Sequence, residues 1–298
     1  NSAEGNFMDY YEGGWQEILP NFGFGDKYYG TVEEGLHGEV CLLPWKWQVI
    51  ENNSKEVAIM FFIRTYRTPF YLEKTITLKK NDPKLYIFER LKNEGYTDIS
   101  FNWTHHPAYG GAFLDESMLI DIPQNEVKIV MMIKDRKSYY KSAGPEDVWP
   151  IFKGSSDIMT DFSKSPALVK DNVNGIDEFG LKMLSESWYA VTNTNKKVGL
   201  GFKWDRSTFP YIWIWRNYGK SLKEAPWFGR VECMAVELCS SYSPNGLIGS
   251  INNKTALTLR AQQEICTDFF AVAYQSEKRI GSIDAAGSVT DIEGNLII

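Results

Sequence analysis

Short apolar runs that alternate with polar residues, punctuated by turn-forming residues, dominate this sequence. YLEKTITL (71–78), KLYIFERL (84–91), EVKIVMMI (126–133), KVGLGFKW (197–204), YIWIW (211–215), VECMAVEL (231–238) and ALTLRAQ (256–262) each alternate or run apolar at strand length. Between them lie KKNDP (79–83), KNEG (92–95), DRSTFP (205–210) and SPNG (243–246), whose Asn, Asp, Gly and Pro favour tight turns. Successive side chains of a strand point to opposite faces, so a period of two fits sheets with one buried face. No segment carries an i, i+3, i+4, i+7 apolar stripe over three turns, so helices are not expected to build the core. Many strands at short spacing without intervening helices predict an all-β fold, a large antiparallel β-sandwich.

The chain has 298 residues, 43% of them hydrophobic, which suffices for one large sandwich core. No composition step, linker or fixed-period repeat divides it, so residues 1–298 read as a single domain. The least regular part, Ser138–Gly180, carries Pro145, Pro150 and Pro166 and reads as a long loop excursion of the kind that walls binding sites. A net charge of −6 predicts neither nucleic acid nor an anionic membrane surface as a partner. No apolar run approaches the roughly 20 residues of a membrane helix. The opening NSAEGNFMDYYEGGW lacks the basic and apolar regions of a signal peptide, and a cytoplasmic location is the expectation. Cys41, Cys233, Cys239 and Cys266 match neither zinc-ligand nor mini-protein spacing and read as buried free thiols.

Only three histidines occur, and two are adjacent, in NWTHHPAYGG (102–111); the third, His37, lies in GLHGEV (35–40). Neighbours in a strand face opposite ways, so His105 and His106 cannot both aim into one pocket. Pro107 restricts His106 to extended dihedrals and removes a ladder donor, which predicts that the strand ends there, with Gly110-Gly111 turning the chain. In VECMAVELCSS, Glu237 shares one strand face with Cys233, Ala235 and Cys239. A carboxylate among small and thiol side chains is either paired or raised in pKa, and both situations suit a general base in a cleft. Ten Trp and sixteen Tyr are more than core filling requires. Trp213 and Trp215 share a strand face, as do Trp45 and Trp47, and such planes stack against the C–H faces of sugar rings.

Taken together, GGWQEILPNFG (13–23), LHGEV (36–40), RTPFYLEKTITL (67–78), LYIFERLKN (85–93), FNWTHHPAYGGAFLDE (101–116), FPYIWIWRNYG (209–219) and VELCSSYSPNG (236–246) resemble, in order and spacing, the aldose 1-epimerase (galactose mutarotase-like) family, in a divergent branch. The resemblance implies the galactose mutarotase-like supersandwich with a sugar in an open cleft. Relatives place more strands ahead of the GGWQ-like segment. It also implies a cofactor-free and metal-free isomerase that interconverts the α- and β-anomers of an aldose or aldose derivative. Glu237 is then the general base that takes the anomeric proton, and His106 is the general acid that protonates the ring oxygen. His37 hydrogen-bonds the sugar near that oxygen, and His105, Tyr109, Trp15, Trp213 and Trp215 are the further substrate-binding candidates. The expected partner is a monosaccharide or sugar derivative, and the expected state a monomer or homodimer.

The chain departs from the family pattern in three places. GGWQEILPNFG lacks the sugar-reading Arg, Glu39 replaces the second Gly of HGG, and Leu238 replaces the Pro after the base. Two alternatives stay open on the sequence: non-catalytic carbohydrate binding, and a hydrolase or lyase in which Glu39 or Asp205 partners Glu237. A metal held by His37, His106 and Glu237 is geometrically conceivable. Arg67 and Arg216 are the cations available to an anionic sugar, with surface placement the simpler expectation.

Overall fold

A computed structural model describes residues 7–10, 13–23, 27–30, 35–123, 126–133, 148–153, 159–165, 175–218, 223, 227–243 and 245–298. Strands β1 (Trp15–Ile18), β2 (Lys46–Asn52), β3 (Glu56–Arg64), β4 (Phe70–Lys79) and β5 (Lys84–Asn93) come first. They are followed by β6 (Ile99–Phe101), β7 (Thr104–Gly110), β8 (Met118–Asp121), β9 (Val127–Ile133), β10 (Ile151–Lys153) and β11 (Met159–Asp161). Then come β12 (Gly175–Met183), β13 (Trp188–Asn193), β14 (Val198–Trp204), β15 (Tyr211–Tyr218) and β16 (Cys233–Cys239). The chain closes with β17 (Leu257–Leu259), β18 (Glu264–Tyr274), β19 (Ile280–Ile283) and β20 (Val289–Asp291). Two short α-helices, α1 (Phe7–Tyr10) and α2 (Gly246–Asn252), are the only ones among the described residues, and neither is long and apolar enough to cross a membrane. The described strands form one six-stranded sheet, one eight-stranded sheet and three two-stranded pairs.

The chain divides into two compact units, each assembled from three segments. The first holds residues 1–106, 207–209 and 239–271, and the second 107–206, 210–238 and 272–298. In the first unit β2, β3, β4 and β5 form an antiparallel meander, with β18 beside β5. Its turns follow from the sequence: Asn53 Oδ1 accepts the Lys55 and Glu56 N–H groups, and Asp82 Oδ1 accepts that of Lys84. Register sets Ile63, Leu72 and Leu91 side by side on the inner face, where all three are buried. In the second unit β9, β12, β15 and β16 lie in that spatial order, and β8, β13 and β14 in another run. Phe179 pairs with Ile214 and Leu181 with Ile212, making a fully buried face. In β14 the alternation GLGF serves close approach: a Cβ on Gly201 would meet Ile283 Cδ1 at 2.3 Å.

Several expectations need correcting. ALTLRAQ yields only the three residues of β17. The excursion Ser138–Gly180 is not simply a loop: Ile151–Lys153 pairs with Met159–Asp161, and β12 begins at Gly175. Residues 138–147, 154–158 and 166–174 of this region lie outside the described ones. Arg216 is not on the surface; only 2% of it is exposed, and it donates to Asp177 Oδ2 at 2.8 Å and to the Phe162 carbonyl at 3.0 Å. A buried guanidinium needs such a set of acceptors to offset desolvation. The four thiols are free, yet Cys266 is exposed and Cys41 half-buried, so burial holds for Cys233 and Cys239 alone.

Candidate functional site

Strand β7 carries the histidine pair, and it does not stop at Pro107 but runs on to Gly110. Proline's fixed φ is compatible with extended backbone, and the strand forfeits only one donor there. Alternation separates the pair as expected. His105 is fully buried in the first unit, its Nε2 2.9 Å from Glu89 Oε2, while its Nδ1 accepts the Trp15 indole N–H at 3.3 Å. Indole only donates, so Nδ1 is the unprotonated nitrogen and Nε2–H donates to Glu89. Phe269 and Phe209 pack edge-on against the ring, at 4.7 and 5.5 Å. Both nitrogens of His105 are thus engaged by the protein, as is the indole N–H of Trp15.

Behind this ring lies a buried charge network that the sequence pattern did not reveal. Glu17 on β1, Lys74 on β4 and Glu89 on β5 converge on it. The Lys74 ammonium contacts Glu17 Oε2 and lies 3.5 Å from Glu89 Oε1, and Trp103 donates its indole N–H to Glu17 Oε1 at 2.7 Å. Burial raises the Glu89 carboxyl to about 7, against the opposing pull of Lys74, and raises Glu17 as well. Glu17, Glu89 and His105 each offer a metal-ligand atom within 4.8 Å of the others. The ammonium of Lys74 already supplies the positive charge between the two carboxylates, so the group fits an internal ion-pair network better than a metal centre.

His106 faces the other way, toward His37, with ring centroids 5.7 Å apart; Phe7 meets His37 edge-on at 4.4 Å. Burial lowers the His106 imidazole to about 4. It lowers His37 well below the ordinary value, with His106 adding to the effect. His37 Nδ1 is buried and has no hydrogen-bond partner among the described residues. His37 has φ +66°, a left-handed conformation that non-glycine residues rarely adopt, and Gly38 follows at φ +74°. A Cβ on Gly38 would lie 2.3 Å from the Leu19 carbonyl oxygen, so only glycine fits.

In the second unit Glu237 is the fifth residue of β16, 6% exposed. Burial raises its carboxyl well above the ordinary range, with the negative charge of Glu178 adding to it. The Tyr218 hydroxyl on β15 donates to Met234 Sδ at 3.5 Å, so Tyr218 lies on the Met234 face, opposite that of Glu237. Alternation therefore puts Trp213, Trp215 and Asn217 on the Glu237 face, and Glu178, opposite Trp215 in register, joins them. Trp213 is buried and Trp215 half-buried, 6.4 Å from Trp227. Tyr109 is buried too, its hydroxyl 3.3 Å from that of Tyr189. Sequence alone did not single out Glu178; alternation in GIDEFGLKM sets it on the face opposite the buried Phe179 and Leu181.

The fold matches solved structures closely enough to name its class. It is similar to a candidate aldose 1-epimerase from Klebsiella pneumoniae subsp. pneumoniae, with TM-score 0.65 and 13% identity over 88% of this chain and 63% of that one. A candidate aldose 1-epimerase from Escherichia coli K12 gives TM-score 0.58 and 10% identity, over 88% and 84% of the two chains. A galactose mutarotase related enzyme from Lactobacillus acidophilus gives 0.57 and 12%, over 88% and 83%. The chain thus spans 63% of the length of the Klebsiella protein. No protein-family model matches the sequence, and no curated protein is similar to it at a significant level. The class is the all-β antiparallel sandwich of the galactose mutarotase-like proteins, and at these identities the likeness is one of fold.

Proposed function

We propose that this protein interconverts the anomers of a free aldose or an aldose derivative, with Glu237 and His106 as the acid–base pair and His37 bonding the sugar near its ring oxygen. The observation that carries the reading is the burial of Glu237 on a sheet face that also holds Trp213, Trp215 and Glu178, where desolvation raises its carboxyl well above the ordinary range.

One acid and one base suit this reaction, because the anomeric hydroxyl and the ring oxygen are both bonded to C1. Glu237 takes the hydroxyl proton as His106 gives one to the ring oxygen. The C1–O bond of the ring breaks, C1 becomes an aldehyde carbon, and rotation about C1–C2 precedes reclosure on the other face. Reclosure reverses the two proton transfers. The unpartnered Nδ1 of His37 supports its assignment to a sugar oxygen. Exchange NMR over a panel of monosaccharides tests the proposal: acceleration over buffer, lost in Glu237→Gln and His106→Ala, is expected. No acceleration for any sugar would end it.

One observation favours a second reading, glycosidic bond cleavage: Glu178 on β12 lies on the same sheet face as Glu237 on β16 and raises its pKa, as two carboxylates of a hydrolase do. Release of reducing ends from aryl glycosides, abolished by Glu178→Gln, would replace the isomerase reading. Glu39 does not serve as that partner, since its carboxylate is engaged elsewhere.

A further inference from the structure

We propose that Glu39 is a positioning residue that holds His37 in its strained turn and so fixes the imidazole beside His106. This rests on the reading of His37 as a sugar contact, but the geometry behind it is independent of that reading. Glu39 is fully buried, and its carboxylate accepts four hydrogen bonds from the β3–β4 connection. Oε2 accepts the N–H groups of Tyr66 at 2.7 Å and Arg67 at 2.9 Å. Oε1 accepts the Thr68 N–H at 3.1 Å and its hydroxyl at 2.8 Å. A carboxylate is acceptor-only with room for about four donors, so the set is complete, and no neutral side chain of that length can replace it.

Glu39 stands two residues after a left-handed His37 and directly after a left-handed Gly38. Such a pair persists only where the surroundings over-determine it. The backbone alone supplies modest restraint: His37 N–H to the Gly23 carbonyl at 3.4 Å, Gly38 N–H to Gly35 at 3.1 Å, and Glu39 N–H to Leu19 at 2.8 Å. The Glu39 side chain adds the tie that these lack, linking the turn to the rigid β3–β4 hairpin. The residue that departs from the HGG pattern therefore carries a structural load that glycine could not.

The test compares the full chain with Glu39→Gln and Thr68→Val. Glutamine keeps one acceptor oxygen but turns the other into a donor facing N–H groups; valine removes only the Thr68 hydroxyl. Three histidines make three imidazole spin systems, and His105, on the opposite face of β7, is an internal control. The long-range ¹H–¹⁵N spectrum of folded Glu39→Gln is expected to show His37 and His106 displaced and His105 unmoved, with Thr68→Val giving the same pattern at smaller amplitude. Where the wild type anomerises sugar, kcat/KM in Glu39→Gln falls about 10- to 100-fold, the scale of a misplacement near 1 Å. Unmoved His37 signals in both variants, or equal displacement of all three histidines, would overturn the proposal. The spectra decide it even if no sugar is turned over, so its failure and that of the isomerase reading are distinguishable.

Discussion

His105 and His106 are adjacent in sequence yet belong to different environments: one ring is locked between Glu89 and Trp15, the other lies 5.7 Å from His37. Their removal should therefore differ in kind. His105→Ala strands the Trp15 N–H and leaves Glu89 Oε2 short of a donor inside the first unit. Leaving buried polar groups unsatisfied costs about 1–3 kcal/mol each, so a loss on the order of 2–6 kcal/mol in urea unfolding is expected. His106→Ala should change stability far less while removing turnover.

The Lys74 network makes a second prediction. Lys74→Met leaves two buried carboxylates without their cation, and breaking a buried pair in this way costs about 3–5 kcal/mol. Folded-state pKa values raised above the unfolded ones, as for Glu89 at about 7, mean stability that is full below the unfolded pKa and lost as pH rises through the folded one. The variant should thus be closest to wild type near pH ~4.5 and weakest at alkaline pH, as followed by thermal unfolding. A deficit independent of pH would contradict the network.

His106 titrates in the opposite sense. Its folded pKa of about 4 lies below the ordinary 6.5, so its contribution is full above pH 6.5 and lost as pH falls toward 4. Relative to His106→Asn, the wild type should lose about 1.4 kcal/mol for each pH unit between 6.5 and about 4, and no more below that. Parallel stability curves for the two proteins would exclude a buried neutral imidazole.

Two glycines separate backbone strain from collision. Gly14, at φ +83° beside Gly13 at +81°, has nothing within 4 Å of an added Cβ, whereas Gly38 has the Leu19 carbonyl at 2.3 Å. Gly14→Ala should cost about 1–2 kcal/mol, the left-handed penalty alone. Gly38→Ala should cost more, on the order of 3–5 kcal/mol, because the Leu19 backbone must also shift. Equal melting temperatures for the two variants would refute the close approach.

How legible this was depended on how local each feature is. β4 and β5 stand where YLEKTITL and KLYIFERL alternate, because alternation is a property of one strand. β3 is harder, since EVAIMFFIR is apolar at nearly every position and period two is masked. The opposed faces of His105 and His106 followed from the same local rule. The strand's passage through Pro107 did not, because proline weakens a strand without forbidding it. Lys74 and Glu89 face each other across the β4–β5 hairpin, but nothing in the chain's order announces that Glu17 on β1 joins them. Arg216 sits in an otherwise exposed-looking WRNYG, and only the fold reveals Asp177 as its partner. Each of the two compact units is likewise built from three segments separated in sequence.

Anomer exchange is the most direct measurement. Two-dimensional exchange NMR on α- and β-aldoses, free and phosphorylated, should show cross-peaks growing in proportion to wild-type concentration. The rate should fall to the buffer value in Glu237→Gln and in His106→Ala, both still folded by circular dichroism. Undiminished exchange in either variant, or none in the wild type with any sugar, would contradict the acid–base pair on which the account stands.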